Sequence, residues 1–162
     1  MRIMKIVAKF FIIVITLTSC ADEVEFNAPS FQGNREYGLW KAEFMSAAID
    51  ENGFLTISAG RNMETVSLTI PSATMGIYNF GEVNSIEARY MDANGDVYST
   101  NNRPDPSISI YPEIGFLELN DIDNTNFTGT FEFLAFDESG LNAIGFNVGT
   151  FYKVPLVTTT IP

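Results

Sequence analysis

Few side chains in this 162-residue chain could do chemistry, and what is missing narrows the field. Histidine is absent, which removes a His-based triad, an imidazole metal ligand and a His pH switch. Cys20 is the single cysteine, so one thiol is available as a nucleophile and no disulfide can form within the chain. Carboxylates and amides remain. Asp92, Asn94 and Asp96 alternate as the oxygen ligands of a calcium loop do. The spacing then departs from an EF-hand: Val97 stands where a glycine should follow the third ligand, and Arg103 where a bidentate glutamate belongs. An arginine there would repel the ion. Asp121 and Asp123, in the run Asn120 to Asn126, form a second weak calcium candidate. Both segments read more simply as polar turns held by Asx hydrogen bonds. Twenty acidic residues make some close carboxylate pair inevitable, and no spacing singles out an acid and a base for glycoside hydrolysis. The sequence therefore assigns no catalytic residue, no metal and no cofactor.

What Cys20 can do depends on the segment before it. Arg2 and Lys5 form a short basic region, and Phe10 to Leu17 an apolar run of eight residues with Lys9 at its edge. A helix needs about 20 residues to cross a bilayer core, so this run suits the apolar part of a removable secretory signal. Leu17-Thr18-Ser19-Cys20 closes it, and this sequence resembles a bacterial lipobox. The resemblance implies that residues 1–19 are a lipoprotein signal peptide and that the Cys20 sulfur receives diacylglycerol. Cleavage would then leave Cys20 at the mature N-terminus, with the membrane as a partner through the lipid. Each buried methylene gives only about 0.8 kcal/mol, so a firm hold needs more than one acyl chain. Asp22 and Glu23 resemble the surface-export signal of Bacteroidota lipoproteins, which implies the outer leaflet of an outer membrane. Residues 20–30 are polar and acidic, contain Pro29 and read as a tether.

Residues 31–162 have the length of one domain. Without Arg2, Lys5 and Lys9, six of the nine basic residues face 20 acidic ones, a formal charge of −14 on the mature chain. Such a body repels phosphate backbones, so nucleic acid is not an expected partner. It also argues against electrostatic adhesion to anionic lipid.

The elements that would position any site are strands. From Phe31 onward, eleven phenylalanines and six tyrosines sit among Val, Ile and Thr in short runs broken by Asn, Asp and Gly. The runs predict strands at Tyr37–Phe44, Phe54–Ala59, Thr65–Ile70, Gly76–Phe80, Ala88–Met91, Val97–Thr100, Ser107–Tyr111, Phe116–Asp121, Thr128–Phe136 and Ala143–Val157. Ser46–Asp50 suits either a turn of helix or a continuing strand. Asn52-Gly53, Asn94-Gly95 and Asp137-Glu138-Ser139-Gly140 predict hairpin turns. Arg103-Pro104-Asp105-Pro106 predicts a stiff connecting loop. Alternation puts Ile108 with Ile110, and Phe131 with Phe133, on common faces, with Glu132 pointing away. Ile144, Phe146 and Val148 share a phase that Gly149 should break with a bulge, re-phasing Phe151. Trp40 reads as core. The expectation is an all-β domain, an antiparallel β-sandwich or flattened barrel of about 8–10 strands.

Segments spread along the chain carry a resemblance. Phe31-Gln32-Gly33-Asn34, Gly38-Leu39-Trp40-Lys41-Ala42, Ala88-Arg89-Tyr90 and Val97-Tyr98-Ser99-Thr100 come first. Thr128-Gly129-Thr130-Phe131-Glu132-Phe133 and Gly149-Thr150-Phe151-Tyr152-Lys153-Val154-Pro155 complete it. In order and spacing they resemble a family of small uncharacterised lipoproteins of Bacteroidota, mainly flavobacteria. The resemblance implies an all-β domain of unknown function and supplies no catalytic or binding residue. The resulting expectation is a non-enzymatic binding or accessory module of the cell envelope, taking a glycan or an envelope protein. A small carboxylate-dependent hydrolase and a purely structural envelope component are the alternatives.

Overall fold

The computed structural model describes residues 28–107 and 113–157. Cys20, Asp22, Glu23 and the expected strand residues 108–111 lie outside them, and Ser107 sits in a turn. The described residues form eleven strands and no helix. These are β1 (Ser30–Arg35), β2 (Gly38–Lys41), β3 (Phe44–Ile49), β4 (Leu55–Arg61), β5 (Glu64–Ile70) and β6 (Gly76–Asn79). β7 (Glu87–Met91), β8 (Val97–Ser99), β9 (Gly115–Asp123), β10 (Asn126–Phe136) and β11 (Ala143–Pro155) follow. All the strand pairs are antiparallel, and the order β2-β1-β11-β10-β8-β7-β5-β4-β3 makes one sheet. The expected all-β class holds.

β10 is where the sheet turns. One of its edges pairs with β11 along its length, while the other pairs with β9 from Asn126 to Phe133 and with β8 at Phe136. β6 extends the β9 side. The sheet curls into a half-barrel around a single core. A parallel bridge between Ala47 and Leu156, with the Val157 N–H on the Ala47 carbonyl at 2.8 Å, ties the β3 edge back to the chain end.

The order differs from expectation at the start. Tyr37–Phe44 is not one strand: Glu36 and Tyr37 make the turn between β1 and β2, and a break after Lys41 precedes β3. Ser46 to Ile49 continue β3 rather than starting a helix. β1 itself escapes the pattern because Gly33 and Asn34 look like turn residues.

The core is built by phenylalanines laid on glycines. Gly129-Thr130-Phe131 of β10 faces Gly149-Thr150-Phe151 of β11 in antiparallel register, with Gly129 opposite Phe151, Thr130 opposite Thr150 and Phe131 opposite Gly149. A Cβ at Gly129 would fall 2.4 Å from the Phe151 ring, and one at Gly149 2.6 Å from the Phe131 ring. Each ring thus occupies the space its glycine leaves. Phe31, Phe131 and Phe151 stack within 6.5 Å of one another, and Trp40, 2 % exposed, meets Phe31 and Phe146 edge-on. Such pairs add about 0.5–1.5 kcal/mol each beyond the area they bury. Glu132 points outward between buried Phe131 and Phe133, as alternation requires.

The expected bulge falls one residue early. Between Phe131 and Phe133 of β10, β11 fits an extra residue, and Val148 takes φ 50°. Val148 therefore leaves the inward phase of Phe146 and is 74 % exposed, while Gly149 returns to the core side. Gly149 is needed for space rather than for a turn.

The three glycine turns form. At Asp50 and Asp92 the side-chain Oδ1 accepts N–H groups two and four residues on, and only the glycines, Gly53 and Gly95, take positive φ. This is a turn followed by a left-handed glycine, one of the short hairpin connections. A fourth turn lacks the usual residues. Asn62 and Met63 join β4 to β5 with φ 46° and 66°, both left-handed. Methionine carries a Cβ penalty of about 1–2 kcal/mol there. Met63→Gly is expected to stabilise the protein by about 1 kcal/mol, read as a higher melting temperature; an unchanged or lower value would contradict that geometry.

Candidate functional site

At one end of the half-barrel, inward positions of four strands bring polar side chains together. Glu64 opens β5 in the same phase as Val66, Leu68 and Ile70, so its carboxylate points inward where the core begins. Its Oε1 accepts hydrogen bonds from Arg35 of β1 and from the Tyr90 hydroxyl of β7, the latter at 2.7 Å. Its Oε2 accepts the Trp40 Nε1–H of β2 at 2.8 Å. Arg35 also donates to the Tyr90 oxygen, and its guanidinium lies 5.5 Å from the centre of the Tyr90 ring. Arg61 stands 3.8 Å from Oε2, with its buried Nε lacking a hydrogen-bond partner.

The network has clear electrostatic consequences. Burial alone would push the Glu64 carboxyl up, but hydrogen bonds from Tyr90, Arg35 and Trp40, with the Arg35 charge, hold it below the usual range. Burial and the hydrogen bond to Glu64 push the Tyr90 hydroxyl up. The cluster joins β1 and β2 on one limb of the sheet to β5 and β7 on the other, and so acts as a clamp across the mouth.

Two clefts open beside it, one on each side of Tyr98 of β8. The smaller, about 260 Å³, reaches down to Arg35, Glu64 and Tyr90 and is rimmed by Glu36, Asp92 and Asn94. The larger, about 850 Å³, lies between the β7–β8 turn and the β10–β11 loop, with Asp96, Asn102, Asp137, Glu138, Ser139 and Asn142 on its walls. Burial pushes the Tyr98 hydroxyl up, and the charges of Asp92, Asp96, Asp137 and Glu36 add to it. Asn142 and Ser139 donate to Asp137 and hold its carboxyl down. The mouth is therefore a negative, amide-rich opening with an aromatic ring between its two hollows.

The calcium candidates do not converge. Desolvation would push the Asp92 carboxyl up, but the hydrogen bonds of its own turn, from the N–H groups of Asp96 and Asn94, together hold it below the usual range. Asp92 and Asn94 line the small cleft, while Asp96 lines the large one. Asp121 and Asp123 sit on β9 opposite Thr128 and Asn126, and neither lines these clefts. Among the described residues no group of three or more His, Cys, Asp or Glu side chains could hold a metal ion. Spacing along the chain does not announce the clamp, because its members lie up to 55 residues apart. One signal was available: Glu64 falls in the buried phase of an alternating strand.

Fold and mouth together define a class: a curled β-sheet protein whose open end is pinned by a part-buried ion pair. The chain belongs to the family described as a domain of unknown function (DUF6252), whose model matches residues 27–155. The expected membership of a family of unknown function is thereby met. Comparison with curated proteins and with solved structures finds no match.

Proposed function

We propose that the protein is a lipid-anchored binding module of the cell envelope, tethered through diacylglycerol on Cys20 and offering the acidic mouth around Tyr98 to a ligand. The lipobox-like Leu17-Thr18-Ser19-Cys20 behind its apolar run supports the anchor, and Asp22-Glu23 supports the outer surface. The observation that carries binding over catalysis is the state of Glu64. Both of its oxygens are engaged by Arg35, Tyr90 and Trp40, so it is no free base or nucleophile. Asp96 and Asp137 line one cleft and favour the carboxylate-hydrolase alternative. Against it, both Asp137 oxygens already accept hydrogen bonds from Ser139 and Asn142 within their own loop. The ligand classes that suit the mouth are a glycan or a protein segment able to donate hydrogen bonds to carboxylates.

Cys20→Ala is the test of the anchor. The variant is expected to leave the membrane fraction and to lose fatty-acid labelling completely. A variant that still labels and still pellets with membranes would overturn the reading. Protease treatment of intact cells tests the outer leaflet: digestion before lysis supports it, and protection until lysis overturns it.

A further inference from the structure

The two ends of the half-barrel differ in how the chain meets them. At the mouth stand four hairpin connections: the β1–β2 turn with Glu36, the β4–β5 turn that leads into Glu64, the β7–β8 turn and the β10–β11 loop. The chain enters the domain at the opposite end. β1 runs from Ser30 to Arg35 of the clamp; Arg35 pairs with Phe146 near the start of β11, and Ser30 pairs with Tyr152 near its finish. Ile144 of β11 lines the small cleft, and Tyr152 lies about 25 Å further along the strand. Close to Tyr152, the Leu156 N–H bonds to the Thr125 carbonyl of the β9–β10 turn at 2.7 Å. Ser30, this turn and the end of β11 thus form a base, and the segment that joins Cys20 to the domain enters there. Residues 20–29 make up that segment and span at most about 35 Å when fully extended.

We propose that the mouth faces away from the membrane that holds the lipid, so that its partner arrives from the aqueous space and is neither a lipid nor a protein confined to the same leaflet. The inference rests on the Cys20 anchor and the ligand-binding mouth proposed above, and adds a direction to them. The path of the chain supports it, because the anchored segment and the mouth lie at opposite ends of β1. Charge supports it independently. Glu36, Asp92, Asp96, Asp137 and Glu138 surround the mouth, and none of the five pairs with a cation among the described residues. Arg35 and Arg61, the cations nearby, both lie against Glu64. An anionic membrane surface repels such an end. A mouth laid on the bilayer would need the tether folded back along the domain and five carboxylates brought against headgroups.

Lipidation would consume the Cys20 thiol, so a cysteine introduced elsewhere is the single free thiol of the anchored protein. Glu138→Cys marks the mouth and Thr125→Cys the base, both at exposed positions. Each full-length variant is isolated from cell membranes with its lipid and labelled with a maleimide donor dye. It is then reconstituted into vesicles of phosphatidylcholine and phosphatidylglycerol that carry a headgroup-linked acceptor dye. At equal acceptor density, energy transfer from the Glu138→Cys dye is expected to be roughly half or less of that from the Thr125→Cys dye, given the length of the strands between them. Circular dichroism verifies the fold of both variants. Equal transfer from the two positions, or stronger transfer from Glu138→Cys, would overturn the proposal and leave the anchor in place. Protein that does not float with the vesicles would overturn the anchor, and the direction with it.

Discussion

Gly149→Val is expected to lower the melting temperature by about 10 °C. Any side chain at Gly149 meets the Phe131 carbonyl oxygen at 2.5 Å and the Phe131 ring at 2.6 Å. The ring cannot swing away, because it is 1 % exposed and packed on Phe31, Phe133, Phe146 and Phe151. Moving the carbonyl would open the β10–β11 ladder. Overpacking of this kind costs about 3 kcal/mol, which is about 10 °C at this size. Gly38→Ala is the control: nothing lies within 4 Å of a Cβ there, and the change should stay within about 1 kcal/mol. Thermal unfolding of the two variants decides it. Equal melting temperatures would mean that the paired Gly-Thr-Phe segments do not build the core.

Glu64→Ala is expected to cost about 2–3 kcal/mol at neutral pH. Removing one partner of a buried ion pair typically costs 3–5 kcal/mol. The figure is reduced here because the Arg35 side chain keeps 30 % of its exposure, against 14 % for Glu64. The cost should depend on pH. The folded carboxyl sits below its ordinary value, so its contribution is complete above that value and is lost as pH falls through the folded one. Tyr90 is raised, so its contribution is complete below the ordinary tyrosine value and is lost as pH rises beyond it. The gap between the native protein and Glu64→Ala should be widest from about pH 5 to 9 and close on the acid side. Denaturant melts across pH measure it; a gap that widens in acid would contradict the clamp.

The strands were legible where period and punctuation agreed. Phe131-Glu132-Phe133 and the Asn-Gly turns each carry their own local signal, and they landed as expected. The sequence misled where one residue type serves two ends. Gly33 and Asn34 look like a turn but lie in β1, where Gly33 makes room beside Phe146. Gly149 looked like the bulge, but Val148 takes the left-handed backbone and Gly149 admits a ring. The Asn62-Met63 turn was hidden because methionine is not a residue of positive φ. The clamp of Arg35, Trp40, Glu64 and Tyr90 is a tertiary contact set between distant strands, and alternation gives the face of a residue but not its neighbours.

Mass spectrometry of the N-terminal peptide, taken from protein isolated from cell membranes, tests the central claim most directly. The account predicts a chain beginning at Cys20 whose sulfur carries diacylglycerol. A chain that still begins at Met1, or a free thiol at Cys20, would contradict it.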